Sequence, residues 1–125
     1  MSTLTLQERR KAFTDALRSG EYNQCKGQLQ DSKGYCCLGV ACVVYEKLTG
    51  EELNKDTAGQ LVGGTLPQNV QTFYGIEDDL GVYWCVRGGR TALSALNDVR
   101  NYTFNQIADV VDSNPRGLWS PESTN

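Results

Sequence analysis

Two arginines on either side of a glycine pair form the segment of this chain best suited to bind an anion. Glycines let backbone N–H groups turn inward around an anion, and a helix that begins beside them adds a positive end. Each guanidinium group can bind phosphate or carboxylate through paired hydrogen bonds. The Walker A lysine and spacing are missing. We therefore predict a phosphate or nucleotide site of another kind, with a tight turn carrying solvated arginines as the alternative, at Arg87, Gly88, Gly89, Arg90 and Thr91.

Two aromatic residues stand just before this segment. Tyr83 and Trp84 belong to the apolar run 82–86, which has the composition of a strand. An aromatic ring next to Arg87 is suited to stack on a base. Neighbouring residues of a strand point to opposite faces, so at least one of the two rings is expected in the core.

A second set of polar residues comes from two distant parts of the chain: Arg18, Tyr22, Gln24, Asn97 and Asp98. One interpretation is a single pocket, in which the arginine supplies charge, the two amides recognise a ligand amide and the tyrosine stacks. The other interpretation is structural. In that case Asn97 and Asp98 hydrogen-bond a helix end, and Arg18 pairs with Asp98 or with a helix C-terminus.

The sequence contains no histidine, which excludes Ser-His-Asp and Cys-His catalysis and histidine-ligated metals. Its five cysteines include no Cys-x-x-Cys pair, and we interpret them as reduced, small apolar residues of the core. We therefore predict no catalytic residue, no metal and no cofactor. The alternative is a small cytosolic enzyme using carboxylate or thiol chemistry, for which the candidates are Cys36, Cys37, Asp78, Asp79, Asp98, Asp109 and Asp112.

Two capping boxes mark the beginnings of helices that position these residues. Thr5 with Glu8 predicts a helix over 6–19, and Thr103 with Gln106 predicts a helix over Phe104–Asp112. Apolar residues at helical spacing follow each box, so both helices are expected to be amphipathic.

The stretch 36–48 is almost wholly apolar and ends at Thr49-Gly50. Its β-branched residues also allow a strand, but its length and the glycine stop favour a buried central helix. We expect the face that carries Leu38, Cys42 and Tyr45 to pack against the first and last helices, because a soluble monomer does not expose a helix of this composition.

The remaining segments predict short elements. A hairpin over 28–30 and 35–37 surrounds a turn, a polar loop or small flap covers 51–65, and a helix opens at Leu66-Pro67 and runs to Phe73. Thr91 is expected to cap a helix over 92–96. Together these patterns predict a compact α+β domain over 1–115, with about three main helices around the central one, a small antiparallel sheet and a tail over 116–125.

Length and charge exclude several classes of protein. The 125 residues fit one domain, and a net charge of −3 argues against a general nucleic-acid binder. The chain has no run of 18 apolar residues, so no membrane span is expected. Its first ten residues lack an apolar signal core, which favours the cytoplasm.

Four regions of the chain carry a recognisable order of motifs: 16–24, 34–42, 93–98 and 102–109. They contain Arg-Ser-Gly-x-Tyr-x-Gln, Cys-Cys-Leu-Gly-Val-x-Cys, Leu-Asn-Asp and Thr-Phe-x-x-Ile-Ala-Asp. In these motifs the chain resembles a family of small uncharacterised proteins of bacteriophages and prophages. The resemblance implies a phage-encoded protein of the host cytoplasm, and it implies no particular activity.

The expected function is that of a non-catalytic accessory protein of a phage. Such a protein binds a host target or a small anionic ligand, for example a nucleotide, and serves host takeover or evasion of host defence. We expect no general nucleic-acid binding and no membrane association, and we leave a homodimer open.

Overall fold

The computed structural model describes residues 4–85 and 89–119, and within these ranges it has an α+β architecture. Five helices surround a common core, and one two-stranded antiparallel sheet lies beside them. In chain order the elements are α1 (Leu6–Arg18), α2 (Cys37–Thr49), α3 (Gln68–Tyr74), β1 (Val82–Trp84), β2 (Arg90–Ala92), α4 (Leu93–Asp98) and α5 (Phe104–Asp112). Over the described residues, no helix has both the length and the apolar character needed to cross a bilayer.

Both capping boxes are confirmed. The Thr5 hydroxyl accepts a hydrogen bond from the Glu8 backbone N–H at 3.1 Å, and the Glu8 carboxylate accepts one from the Thr5 N–H at 2.9 Å. Thr103 and Gln106 exchange the same two bonds at the beginning of α5. The caps satisfy backbone N–H groups that have no partner inside the helix, which is why both helices begin where the sequence predicts.

The helix α2 is the buried element that its composition predicts. Leu38 and Cys42 are fully buried, Tyr45 is 4% exposed, and Gly50 ends the helix in the left-handed conformation with φ 77°. The prediction that the first and last helices cover α2 is only half right. The helix α1 packs against α2, but α5 packs mainly against α1, and the short helices α3 and α4 complete the cover. Short helices of this kind show too little periodicity to reveal a buried face in the sequence.

One glycine lets another segment reach α2. A Cβ on Gly39 would lie 1.9 Å from the carbonyl oxygen of Leu29, a distance no side chain tolerates. The Leu29 carbonyl accepts a hydrogen bond from the Cys36 N–H at 3.1 Å, just before the helix. Gly39 therefore allows the segment before α2 to pack directly on its first turn.

The predicted hairpin over 28–30 and 35–37 forms only as a single antiparallel bridge around residues 31–34. Gln30 and Tyr35 make a single antiparallel bridge, and Tyr35 makes a second, parallel bridge with Gln24. The Tyr35 N–H donates to the Asn23 carbonyl, and the Tyr35 carbonyl accepts from the Cys25 N–H, both at 2.8 Å. Because residues 23–25 take the backbone groups of Tyr35, a ladder with 28–30 cannot extend.

Thr91 lies in a strand, so the prediction that it caps a helix is wrong. It pairs with Tyr83 in the β1–β2 ladder, where Val82 pairs with Ala92 and Trp84 with Arg90. The helix α4 begins at Leu93, and its N-cap residue makes no side-chain hydrogen bond. A β-branched threonine suits this pleated position as well as it suits a cap, and the ladder decides between them.

The segment 51–65 and the stretch after residue 115 are both attached to the core. In 51–65, Leu61 is buried, its N–H donates to the Gln30 side chain at 2.9 Å, and Lys55 pairs with Glu46 at 2.7 Å. The segment predicted as a loop therefore has no helix or strand but is held at several points. Beyond residue 115, Leu118 is fully buried, so core packing continues into the stretch expected to be a tail.

Substituting Leu38 with alanine tests the central position of α2. We expect Leu38→Ala to lower the free energy of unfolding by about 2–5 kcal/mol, because it removes buried methyl groups and leaves a cavity. Val99→Ala is the matched control, since Val99 is 75% exposed. Urea denaturation followed by circular dichroism measures both. An unchanged midpoint for Leu38→Ala would contradict the burial of this face.

Candidate functional site

Trp84 is the most exposed aromatic residue near the segment predicted to bind an anion. Its side chain is 45% exposed, whereas its neighbour Tyr83 is only 7% exposed. The alternation of the strand β1 thus turns one ring inward and the other outward, as the sequence predicts. A large exposed tryptophan on a short paired strand offers a rigid flat surface to a ligand.

Two guanidinium groups lie over the indole ring of Trp84. The central carbon of Arg90 lies 5.7 Å from the ring centre, and that of Arg116 lies 6.0 Å away. The strand pairing of β1 with β2 places Arg90, because Trp84 and Arg90 are register partners. A backbone hydrogen bond of 2.7 Å from the Trp84 N–H to the Arg116 carbonyl places Arg116.

Gly117 makes room for this arrangement. It has φ 88°, and a Cβ at this position would lie 3.0 Å from the indole Cδ1 of Trp84. Glycine adopts this backbone conformation without strain and carries no side chain against the ring. The turn after α5 can therefore bring Arg116 close to Trp84.

Trp84 separates two clefts. The first has a volume of about 660 Å³ and lies between the edge of β1 and the end of α5, lined by Tyr83, Trp84, Cys85, Val110, Ser113, Asn114, Pro115 and Arg116. The second has a volume of about 420 Å³ and is lined by Glu77, Asp78, Val82, Tyr83, Trp84, Arg90 and Gly117. Both volumes fall in the range of small-ligand sites, about 300–1,000 Å³.

The charges of the two clefts differ. The described lining of the first cleft includes Arg116 and no carboxylate. The second cleft contains Arg90 together with Glu77 and Asp78, and Asp78 uses one carboxylate oxygen to accept the Leu80 N–H at 2.8 Å. Among the described residues, neither arginine forms an ion pair with a carboxylate. Both guanidinium groups are therefore available to a ligand.

The segment predicted to bind an anion is described only in part. Arg87 and Gly88 lie outside the described residues. Gly89 has φ 83°, and its carbonyl accepts the Cys85 N–H at 2.9 Å. The helix α4 begins at Leu93, so its N-terminus does not lie at Thr91 as predicted. The contribution of this segment is Arg90, beside Trp84.

Three members of the second polar set meet around the side chain of Asn97, which is fully buried. Its oxygen accepts hydrogen bonds from the Gln24 amide at 2.8 Å and from the Cys37 N–H at 3.2 Å. Its NH₂ group donates to the Cys25 carbonyl at 2.7 Å and to the Asp98 carboxylate at 2.8 Å. All the hydrogen-bonding positions of this amide are taken, so its role here is structural.

The other two members of that set lie elsewhere. Arg18 pairs with Asp109 and Asp112 of α5 at 2.8 and 2.7 Å and not with Asp98. It does lie in the last turn of α1, at a helix C-terminus, which was the other possibility of the structural interpretation. The Tyr22 hydroxyl accepts a hydrogen bond from Lys47, and its ring meets the ring of Tyr35 edge-on. The five residues therefore do not line one pocket.

The thiols are positioned as core residues. Cys25, Cys36, Cys37 and Cys42 are buried and free, and Cys85 is half-buried. Burial raises the pKa of Cys36 to about 11 and that of Cys42 to about 12, and it also raises the pKa of Cys37. A nucleophilic thiol needs a lowered pKa, so these groups are unsuited to catalysis. In the described ranges, no cluster of three or more cysteine, aspartate or glutamate side chains could hold a metal ion.

Sequence analysis did not find Arg116 and Gly117, because both fall in the stretch interpreted as a tail. The available signal was the sequence Asn-Pro-Arg-Gly followed by Leu118 and Trp119. It indicates a turn that returns apolar residues to the core. It does not reveal which surface the arginine reaches, because that depends on the position of β1.

Replacing Asn97 tests its structural role. We expect Asn97→Ala to lower the free energy of unfolding by about 2–5 kcal/mol, because it leaves the buried Cys37 N–H and Cys25 carbonyl without partners. Asn105→Ala, on the exposed face of α5, is the matched control and should change stability by less than about 0.5 kcal/mol. Chemical denaturation measures the stability of both variants. If Asn97→Ala is as stable as the unaltered protein, the structural role of the Asn97 amide is contradicted.

The buried thiols predict a loss of stability in alkali. A thiol whose pKa is raised by folding keeps its proton in the folded state, while the unfolded chain loses it near the ordinary value of 9.0. Stability is therefore full below pH 9 and falls as the pH rises towards 11–12. Between pH 8 and pH 10 each such thiol should cost about 1.4 kcal/mol. Urea midpoints across this range measure the fall, and Cys42→Ala should make it shallower. An identical fall in that variant would contradict the prediction.

Comparison with known proteins gives one match. A family model described as a domain of unknown function (DUF8296) covers residues 6–115, from the beginning of α1 to just beyond the end of α5. No curated protein and no solved structure matches the chain. The matched range includes the hydrogen bonds of Asn97, the whole of α2 and both strands. Because this range is most of its length, the chain belongs to the DUF8296 family.

Proposed function

We propose that this chain is a phage-encoded accessory protein of the host cytoplasm that binds a small anionic ligand beside Trp84 without transforming it. Its biological role would be host takeover or evasion of host defence. The observation that carries the proposal is the exposed indole of Trp84 with Arg90 and Arg116 beside it.

The geometry supports an anionic ligand with a flat part. Guanidinium groups bind phosphate and carboxylate in pairs of hydrogen bonds, and an exposed indole stacks on planar groups. Neither arginine is neutralised by a carboxylate among the described residues. The first cleft is also large enough, at about 660 Å³, to take a small molecule.

The other titratable groups favour binding over catalysis. Burial raises the pKa of Cys36 and of Cys42, which disfavours the thiolate that covalent catalysis needs. Asp109 and Asp112 are engaged with Arg18, an arrangement typical of a structural ion pair. The first cleft contains no carboxylate among its described lining, whereas an acid–base mechanism of the glycosidase kind requires two.

The phage origin rests on the order of the sequence motifs. The structure explains several residues of those motifs. Gln24 and Asn97 share a buried hydrogen-bond network, and Gly39 lets the Leu29 carbonyl approach α2. They define a fold and not a ligand, which is why the proposed ligand is argued from Trp84 alone. An exposed tryptophan beside arginines is also typical of protein interfaces, but the volume of the first cleft, about 660 Å³, favours a small molecule.

Calorimetric titration with a panel of anions tests the proposal. The panel contains inorganic phosphate, pyrophosphate, sugar phosphates, nucleotides and dicarboxylates. We expect at least one member to bind with a Kd below about 1 mM, and the double variant Arg90→Gln/Arg116→Gln to weaken it at least about tenfold.

Arg18→Gln is the matched control, because Arg18 lies on α1 and pairs with α5. It should leave the affinity unchanged. A panel without any binder, or equal affinity in the double variant and the unaltered protein, would contradict the proposal.

A further inference from the structure

The first cleft combines one charged side chain with an apolar wall. Arg116 is the only charged residue in its described lining. The half-buried residues Val110 and Pro115 come from the end of α5 and the turn after it, and Tyr83 and Trp84 come from β1. A lining of this kind suits a ligand that has one negative charge and is otherwise apolar.

We propose that the first cleft binds a small monocarboxylate with an apolar body, with its carboxylate at Arg116 and its apolar part against Val110 and Pro115. This inference rests on the proposed function and names the ligand class of the same site. The whole ligand lies in this one cleft, of which Trp84 is a wall.

Arg116 is held beside β1 at both its backbone and its side chain. Its carbonyl accepts the Trp84 N–H at 2.7 Å, and its guanidinium carbon lies 6.0 Å from the centre of the indole ring. Among the described residues it forms no ion pair. The guanidinium fork matches the two oxygens of a carboxylate, so one ligand carboxylate is enough to neutralise it.

The count of charges favours a carboxylate over a phosphate monoester. A phosphate monoester carries a charge of about −1.5 to −2 near pH 7. The described lining of the first cleft has no second cation to balance the additional charge. A monocarboxylate leaves no charge unbalanced there.

The other polar side chains at the end of α5 are largely occupied within the protein. The Ser113 hydroxyl donates to the Val110 carbonyl at 2.6 Å. The oxygen of the Asn114 amide accepts the Trp119 indole N–H at 3.2 Å, which leaves the Asn114 NH₂ group as a donor. Apart from its carboxylate, the ligand therefore meets few polar groups that require a partner.

The second cleft is less suited to a carboxylate. Its lining includes Glu77 and Asp78 as well as Arg90, and their negative charges oppose an anionic ligand. The structure therefore favours Arg116 over Arg90 as the residue that binds the carboxylate.

Titration with four matched compounds, followed by amide chemical shifts in NMR spectra, tests the inference. Phenylacetate carries both proposed features, acetate lacks the apolar body, 2-phenylethanol lacks the charge, and benzyl phosphate carries a different anion. We expect phenylacetate to bind at least about tenfold more tightly than acetate and 2-phenylethanol, and more tightly than benzyl phosphate. The largest shifts should occur at Cys85 and Ser113, which line the first cleft.

Variants separate the two parts of the ligand. Arg116→Gln should weaken phenylacetate at least about tenfold and leave 2-phenylethanol unchanged, and Arg90→Gln should have a smaller effect on phenylacetate. Lys33→Gln, which removes an exposed positive charge elsewhere, is the matched control. Val110→Thr should weaken phenylacetate at least about threefold without changing acetate, because it places a hydroxyl in the apolar wall. Val99→Thr, at an exposed position, is its control.

The outcomes distinguish this inference from the proposed function. Acetate binding as tightly as phenylacetate overturns the apolar body, and tighter binding of benzyl phosphate overturns the carboxylate; both leave an anion-binding function in place. Equal binding of 2-phenylethanol and phenylacetate overturns the role of Arg116 and the proposed function with it. Shifts centred on Glu77 and Gly117 place the ligand in the second cleft and overturn the inference.

Absence of saturable shifts with every compound up to about 10 mM also overturns the inference, while the panel of polar anions decides the proposed function separately. Unchanged circular dichroism spectra and melting temperatures show that each variant is folded.

Discussion

The buried amide of Asn97 connects three parts of the chain that the rest of the fold depends on. Through three of its four hydrogen bonds it joins α4 to Gln24, to the Cys25 backbone and to the first N–H of α2. A helix N-terminus buried in a core needs a partner for its free N–H groups, and Asn97 supplies one for Cys37. Because that helix is the centre of the domain, this amide ties both α4 and the segment 24–25 to the core.

The burial of α2 also explains where chemistry can and cannot occur. Its two thiols, Cys37 and Cys42, lie in the core together with Cys36 at its N-cap and Cys25, and burial raises the pKa of each of the four. The close approach of Leu29 to Gly39 leaves no space on the first turn of the helix for a ligand. The candidate site therefore lies at the periphery, beside the exposed ring of Trp84.

The site beside Trp84 combines three separate parts of the chain. The β1–β2 ladder brings Arg90 to the indole, and the turn after α5 brings Arg116 and Gly117. Leu118, fully buried, holds that turn against the domain. The same short sheet turns Tyr83 inward, so packing and ligand-binding surface come from two adjacent residues.

Local patterns in the sequence determined much of this protein by themselves. The capping boxes at Thr5 and Thr103 fixed where α1 and α5 begin, and the apolar run ending at Gly50 fixed α2 as a buried helix. The alternation of a strand predicted that one of Tyr83 and Trp84 would be buried. These features depend on hydrogen bonds and periodicities within a few residues, which a single sequence contains.

Only the tertiary structure decided the long-range pairings. Arg18 could pair with any nearby carboxylate, and the packing of α5 on α1 selected Asp109 and Asp112. Thr91 was equally suited to a cap and a strand until β1 supplied a partner. Arg116 became part of the candidate site because the turn at Gly117 meets Trp84. In each case the residue type permits several partners, and the energy of core packing, summed over the whole chain, selects one.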